Sequence, residues 1–82
     1  MLESIKGKVC WVTGAGTGIG RAAAVMLARQ GACVILSGRT MASLQKTADL
    51  VAQAGGTSST QRLDVADPDQ VQDVAGRIER QY

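Results

Sequence analysis

The run Thr13-Gly14-Ala15-Gly16-Thr17-Gly18-Ile19-Gly20 decides the fold, with four glycines in eight residues. It joins an apolar stretch, Val9-Cys10-Trp11-Val12, to a helix-forming one that runs from Arg21 to Arg29. A strand that ends in a glycine turn and opens a helix is a phosphate-binding device. Glycine takes positive φ and lets a ligand approach the backbone. The helix start then presents unpaired N–H groups and a positive dipole end to an anion. On this reading Gly14 makes the tight turn, Gly18 leaves room for a pyrophosphate, and Gly20 lets the helix pack closely on the sheet. The spacing is not G-x-G-x-x-G, because the third glycine would fall on Ile19 or on Arg21, and no Gly-Lys-Ser/Thr follows to make a P-loop.

Working outward, the first strand spans Lys8 to Thr13 and the first helix about Gly18 to Gln30, with Gly31 as its C-terminal glycine. The second strand, Cys33-Val34-Ile35-Leu36-Ser37, is a continuous apolar run, as expected of a strand covered on both faces. The second helix runs from about Thr40 to Ala54, with Met41, Leu44, Ala48, Val51 and Ala52 on one face and Gly55-Gly56 at its end. Ser58 to Leu63 is polar and is placed as a third strand only by its position between two helices. The third helix starts at Asp67-Pro68-Asp69, an N-cap followed by proline at the first helical position. Val71, Val74, Ala75, Ile78 and Tyr82 then recur at helical spacing. Such βαβαβα alternation implies an α/β fold: a three-layer, Rossmann-type parallel sheet with flanking helices, of which residues 1–82 form the first half. In that strand order the first strand is central and pairs with a fourth, which these residues do not supply. The first strand would stand as an open edge, so the expectation is a longer polypeptide or a partner that covers it.

Composition is that of a small globular domain, 45% apolar, with a formal charge of +2 that gives no reason to expect a nucleic-acid partner. A chain this size buries only about 60–65% of its unfolded surface, so its stability is marginal. The stretch Met1 to Lys8 lacks the apolar region of a signal peptide, and Ala22 to Ala28 is too short to cross a bilayer. Cys10 and Cys33 are lone residues in apolar strands, there is no histidine, and zinc-type spacing is excluded. Both read as buried free thiols that suit a reducing cytoplasm.

Matched at Thr13, Gly14, Gly18 and Gly20, the loop resembles the Thr-Gly-x-x-x-Gly-x-Gly motif of the short-chain dehydrogenase/reductase family. After the second strand the chain reads Ser37-Gly38-Arg39-Thr40, where NAD-preferring proteins place an acidic residue on the ribose hydroxyls. Gly38 stands at that position, and Arg39 can hold the 2′-phosphate of NADP through charge-assisted hydrogen bonds. The Gly-Arg pair resembles the NADP-preferring subgroup, so NADP is expected and NAD less so. Helix ends add an independent argument. Asp67 and Asp69 suit the dipole of the third helix, whereas Arg21 and Arg39 oppose those of the first two. Both arginines lie where the family fold places cofactor phosphates, although the Arg21 side chain could instead point away from the loop. Leu63-Asp64-Val65 resembles the family's adenine site, with Asp64 on the amino group and a backbone contact from Val65; the alternative is a turn aspartate before the helix cap. Together the resemblance implies cofactor contacts at Gly14, Thr17, Gly18, Ile19, Gly20, Arg39, Thr40, Asp64 and Val65.

The family's reaction centre uses an Asn, a Ser and a Tyr-x-x-x-Lys pair, and the sequence departs from it there. It has no asparagine, and its one tyrosine is Tyr82. The resemblance thus implies an NADP-dependent oxidoreductase that moves hydride between nicotinamide and a small carbonyl or alcohol substrate, with these residues supplying cofactor binding and no catalytic group. Family members are often dimers or tetramers, so a homo-oligomer is expected of the full-length protein. Two other readings compete: a non-catalytic dinucleotide-binding or regulatory module, and a methyltransferase, because Gly14-x-Gly16-x-Gly18 also fits an S-adenosylmethionine loop. Gly38-Arg39 stands where the latter would place its ribose-binding acid.

Overall fold

A computed structural model describes residues 5–82; Met1 to Ser4, part of the stretch read for a leader, lie outside the described residues. The elements are β1 (Val9–Thr13), α1 (Gly18–Arg29), β2 (Cys33–Gly38), α2 (Met41–Gln53), β3 (Thr57–Arg62) and α3 (Pro68–Gln81). The strands form one parallel sheet in the order β1-β2-β3, with Val9 opposite Cys33 and Cys33 opposite Thr57. The α/β alternation expected of the sequence is therefore present, and no expected element end moves by more than one residue. Thr40 and Ala54 flank α2 as its caps rather than lying within it.

β2 is central, and Val34 to Ser37 are all buried. The two faces of the sheet meet different helices. Val34 and Leu36 join Ala24 and Ala28 of α1 and Leu44 and Val51 of α2 in one cluster, with Cys10 and Val12 packed against it. Side chains alternate across a strand, so Ile35 and Ser37 point to the other face. There α3 reaches Gln61 through Arg77 Nη1, at 3.3 Å, and Val74 is buried. Short alanines on α1 let it lie close to the sheet, which is how a core with no phenylalanine closes.

β3 forms despite its polar sequence. The buried backbone of β2 needs hydrogen-bond partners on both sides, and Ser58 to Gln61, only half-buried, supply one of them. The turns from α1 into β2 and from α2 into β3 close in the same way. Ala32 N donates to Leu27 O at 3.2 Å after α1, and Gly56 N to Val51 O at 2.9 Å after α2, each beside a C′ glycine. Asp67 Oδ1 caps α3 by accepting from Asp69 N and Gln70 N.

Three packing expectations are corrected. Cys10 and Cys33 are free but only half-buried: Cys10 lies on β1, which pairs only with β2 among the described residues, and Cys33 is the first residue of β2, at the end of the sheet. Met41 and Ala52 face solvent; the buried face of α2 is Leu44, Thr47 and Val51. Tyr82 follows the last turn of α3 and is exposed rather than packed.

Candidate cofactor site

The three strands run the same way, so their C-terminal ends gather on one edge of the sheet, where ligands of such folds bind. Gly14 follows β1, Arg39 follows β2 and Leu63 follows β3. Two backbone bonds lock these exits together: Ala15 N donates to Ser37 O at 2.9 Å and Leu63 N to Gly38 O at 2.8 Å. Between them lies a cleft of about 480 Å³. Of the nine residues expected to contact cofactor, it brings together Gly14, Thr17, Arg39, Thr40, Asp64 and Val65.

Gly14 and Gly18 have the turn and open-space geometry expected of them, and Gly20 differs from the sequence expectation. Gly14 has φ +66° and Gly18 φ +58°, the left-handed region that other residues reach only at a cost. No heavy atom lies within 4 Å of where a Gly18 Cβ would stand, so its space is open for a ligand. Gly20 is the opposite case. A Cβ there would overlap the Gly14 carbonyl, 2.7 Å from its carbon and 3.3 Å from Ala15 Cα. Gly20 thus permits contact between α1 and the turn that leaves β1, rather than between α1 and the sheet. Gly16 is held against α2, where its Cβ would come 2.9 Å from Ser43 Cβ.

Gly18, Ile19 and Gly20 do not line the cleft. Gly18 borders a second groove of about 620 Å³ between α1 and α2, beside Arg21, Met26 and Leu50. Ile19 projects into solvent at 89% exposure, on the first turn of α1.

The helix ends that meet the cleft are left unneutralised. Thr17 and Thr40 are the N-caps of α1 and α2, neither side chain makes a cap hydrogen bond, and neither first turn carries an acid. Their amides and dipoles remain available to an anion. In α3, whose first turn adjoins the cleft without lining it, Asp67 caps and Asp69 occupies the first turn.

The arginines separate. Arg39 is exposed at the cleft, and its side chain has no hydrogen-bond or ionic partner among the described residues. Arg62 Nε donates to Arg39 O at 3.2 Å, which holds a second guanidinium nearby. Arg21 is turned away, and the expectation that it lies on a cofactor phosphate is corrected. Its Nε donates to Thr47 Oγ1 at 2.9 Å, and its Nη2 to Ser43 O at 3.2 Å and to Gly16 O. These bonds offset the dipole penalty of a cation on the first turn. Asp64 lines the cleft while its Oδ1 accepts from Ala66 N at 3.0 Å and its N donates to Gln70 Oε1 at 3.0 Å. The turn role is therefore present, and a second carboxylate oxygen remains for a ligand.

Sequence reasoning missed Ser43, Thr47 and Arg62. Ser43 and Thr47 lie on a helix 22 and 26 positions from Arg21, and Thr47 reads as one more polar residue on an amphipathic stretch. Only the packing of α1 on α2 reveals them. Arg62 was visible as a basic residue before Leu63-Asp64, but a polar strand gave no sign that it reaches Arg39.

The chemistry of this donor set fits a dinucleotide: an open glycine surface, two uncapped helix starts, a guanidinium with no partner among the described residues, and a carboxylate oxygen lining the same cleft. Comparison with known proteins agrees. The family model described as short chain dehydrogenase matches residues 8–82. The chain is 40% identical over 80 residues to the Caenorhabditis elegans protein named "Probable 2,4-dienoyl-CoA reductase 3", covering 96% of this chain and 26% of that one. It is 36% identical over 76 residues to the Bacillus subtilis short-chain dehydrogenase/reductase homolog YusS, covering 92% of this chain and 70% of the relative. A metagenomic short-chain oxidoreductase solved in complex with NADP superposes with a TM-score of 0.88 at 33% identity, over 93% of this chain and 34% of its own. The chain thus spans about a quarter of the first of these relatives and a third of the solved structure. With the fold, the loop and the match over nearly its whole length in agreement, the chain belongs to the short-chain dehydrogenase family.

Proposed function

We propose that these residues form the cofactor-binding part of an NADP-dependent oxidoreductase acting on a small carbonyl or alcohol substrate. One observation carries the cofactor choice. At the end of β2, where a carboxylate would bind ribose hydroxyls, Gly38 is followed by an exposed Arg39 at the mouth of the cleft, whose side chain has no partner among the described residues. A dianionic 2′-phosphate would meet Arg39 and the uncapped start of α2 at Thr40, with Arg62 beside them. An acid there would repel it.

Along the cofactor, the pyrophosphate would pass the edge of the cleft at Thr17 and be received on the adjoining first turn of α1 by the amides of Gly18, Ile19 and Gly20, with Gly14 keeping the turn clear. Asp64 would accept from the adenine amino group, with the Val65 backbone adjacent. The bound cofactor supplies the chemistry, a hydride passing between nicotinamide and the substrate carbon. The acid/base groups are not among these 82 residues, which contain no asparagine and a single tyrosine, Tyr82. We assign them to the remainder of a longer protein, whose full-length form is a homo-oligomer. Free thiols at Cys10 and Cys33 suit the cytoplasm, and among the described residues no helix is long and apolar enough to cross a membrane.

The test is titration of NADP and NAD into the full-length protein and its Arg39→Ala variant. The substitution should weaken NADP by about 1.5–3 kcal/mol, the scale of hydrogen bonds to charged groups, and leave NAD nearly unchanged. An equal loss for both would show that Arg39 does not read the phosphate. Binding of S-adenosylmethionine with none of NADP would replace the reading altogether.

A further inference from the structure

Thr47 is completely buried on α2, yet its hydroxyl is engaged on both sides. A hydroxyl has one proton to donate and lone pairs to accept. The nearest acceptor for that proton is Ala15 O, at 2.7 Å, with Ser43 O farther off at 3.3 Å. The lone pairs receive Arg21 Nε at 2.9 Å. The same guanidinium reaches Gly16 O and, at 3.2 Å, Ser43 O. Two successive carbonyls of the glycine loop, Ala15 and Gly16, are therefore held by side chains from α2 and from the first turn of α1. None of these groups lies in the cleft except through Gly16 and Ser43, which line it.

We propose that Arg21 and Thr47 are positioning residues: a latch that fixes the Ala15–Gly16 carbonyls toward the helices and so fixes the loop's N–H groups toward the cleft. The physical reason lies in the peptide unit. Each peptide is planar, so a carbonyl held on one side directs the following N–H to the other. A loop rich in glycine has many alternative shapes, and ordering it on binding costs free energy. The latch sets that order before ligand arrives, in a buried place where a hydrogen bond left unmade is expensive. It acts on the dinucleotide's shared part, the pyrophosphate, and not on the 2′-phosphate. Arg21 and Arg39 thereby have separable roles, one in affinity for any dinucleotide and one in choice between two. The inference rests on the dinucleotide-binding reading.

The experiment uses the full-length protein with Thr47→Val, Thr47→Ser and Arg21→Lys. Thr47→Val keeps the shape and removes the hydroxyl; it should weaken NADP and NAD alike by about tenfold, equivalent to about 1.4 kcal/mol, leaving their ratio unchanged. Thr47→Ser restores the hydroxyl and should return both affinities to within about twofold of the parent. Arg21→Lys keeps the charge but not the forked donors. It should lower both affinities in the same proportion, and it serves as the second variant if Thr47→Val does not fold. Amide hydrogen exchange without ligand provides a reading independent of affinity: the loop amides at residues 16–20 should exchange faster in Thr47→Val and recover in Thr47→Ser. A lower melting temperature with parental affinities and loop exchange would mean ordinary core packing, and would overturn the latch. If the parent bound neither dinucleotide, the functional reading would fail, while loop exchange would still decide whether the latch orders the loop.

Discussion

Replacing Gly20 by alanine would place a Cβ against the Gly14 carbonyl group, 2.7 Å from its carbon and 3.3 Å from Ala15 Cα. Ordinary contacts between carbon atoms lie near 3.5–4.0 Å. Nothing flexible can yield, because the obstructing atoms are backbone, and that backbone is tied to β2 through Ala15 N and Ser37 O at 2.9 Å. Relief would require α1 to lift from the turn by about 1 Å, disturbing the contacts of Ala24 and Ala28. Overpacking of this kind costs about 1–3 kcal/mol. The expected result is a lower denaturant midpoint with an unchanged slope, together with loss of NADP and NAD binding in parallel. Gly18→Ala provides the contrast. Its Cβ would meet no atom within 4 Å, but the backbone sits at φ +58°. The cost is about 1–2 kcal/mol of left-handed strain, and the added methyl would intrude on the ligand's own space. Denaturant unfolding with and without NADP separates the two. Gly20→Ala should destabilise the ligand-free protein more, and Gly18→Ala should lose a larger share of the ligand's stabilisation. A Gly20→Ala protein with parental midpoint and affinity would refute the packing argument.

Two further substitutions probe α3. Gly76→Ala should raise stability by about 0.5–1 kcal/mol by thermal or denaturant unfolding, since glycine is a poor helix former; its Cβ would meet only the flexible end of Arg80, 3.3 Å away. A loss of stability would mean that Gly76 serves a close approach. Asp67→Ala removes the acceptor for Asp69 N and Gln70 N and should cost about 1 kcal/mol, most visible as faster amide exchange in the first turn of α3. Unchanged exchange there would show that Pro68 alone starts the helix.

Local physics made much of this protein legible in its sequence. The glycine run between an apolar strand and a helix, the unbroken apolar second strand and the Asp67-Pro68 helix start each depend on neighbouring residues, and all three elements form as expected. Gly38-Arg39 was legible for the same reason, because strand, turn and helix order fix its place at the sheet's edge. Tertiary structure decided the rest, wherever the partner is distant in the chain. The polar third strand exists because β2 needs a second neighbour, not because its own residues favour extension. Arg21 was ambiguous by sequence, since a charge near a helix start can face either way. Thr47 and the Ser43 carbonyl, brought close only when α1 packs on α2, determine its direction together with the nearby Gly16 carbonyl. Gly20 likewise serves a contact with Gly14 that no periodicity reveals, because a missing Cβ shows its purpose only beside the atom it would have struck.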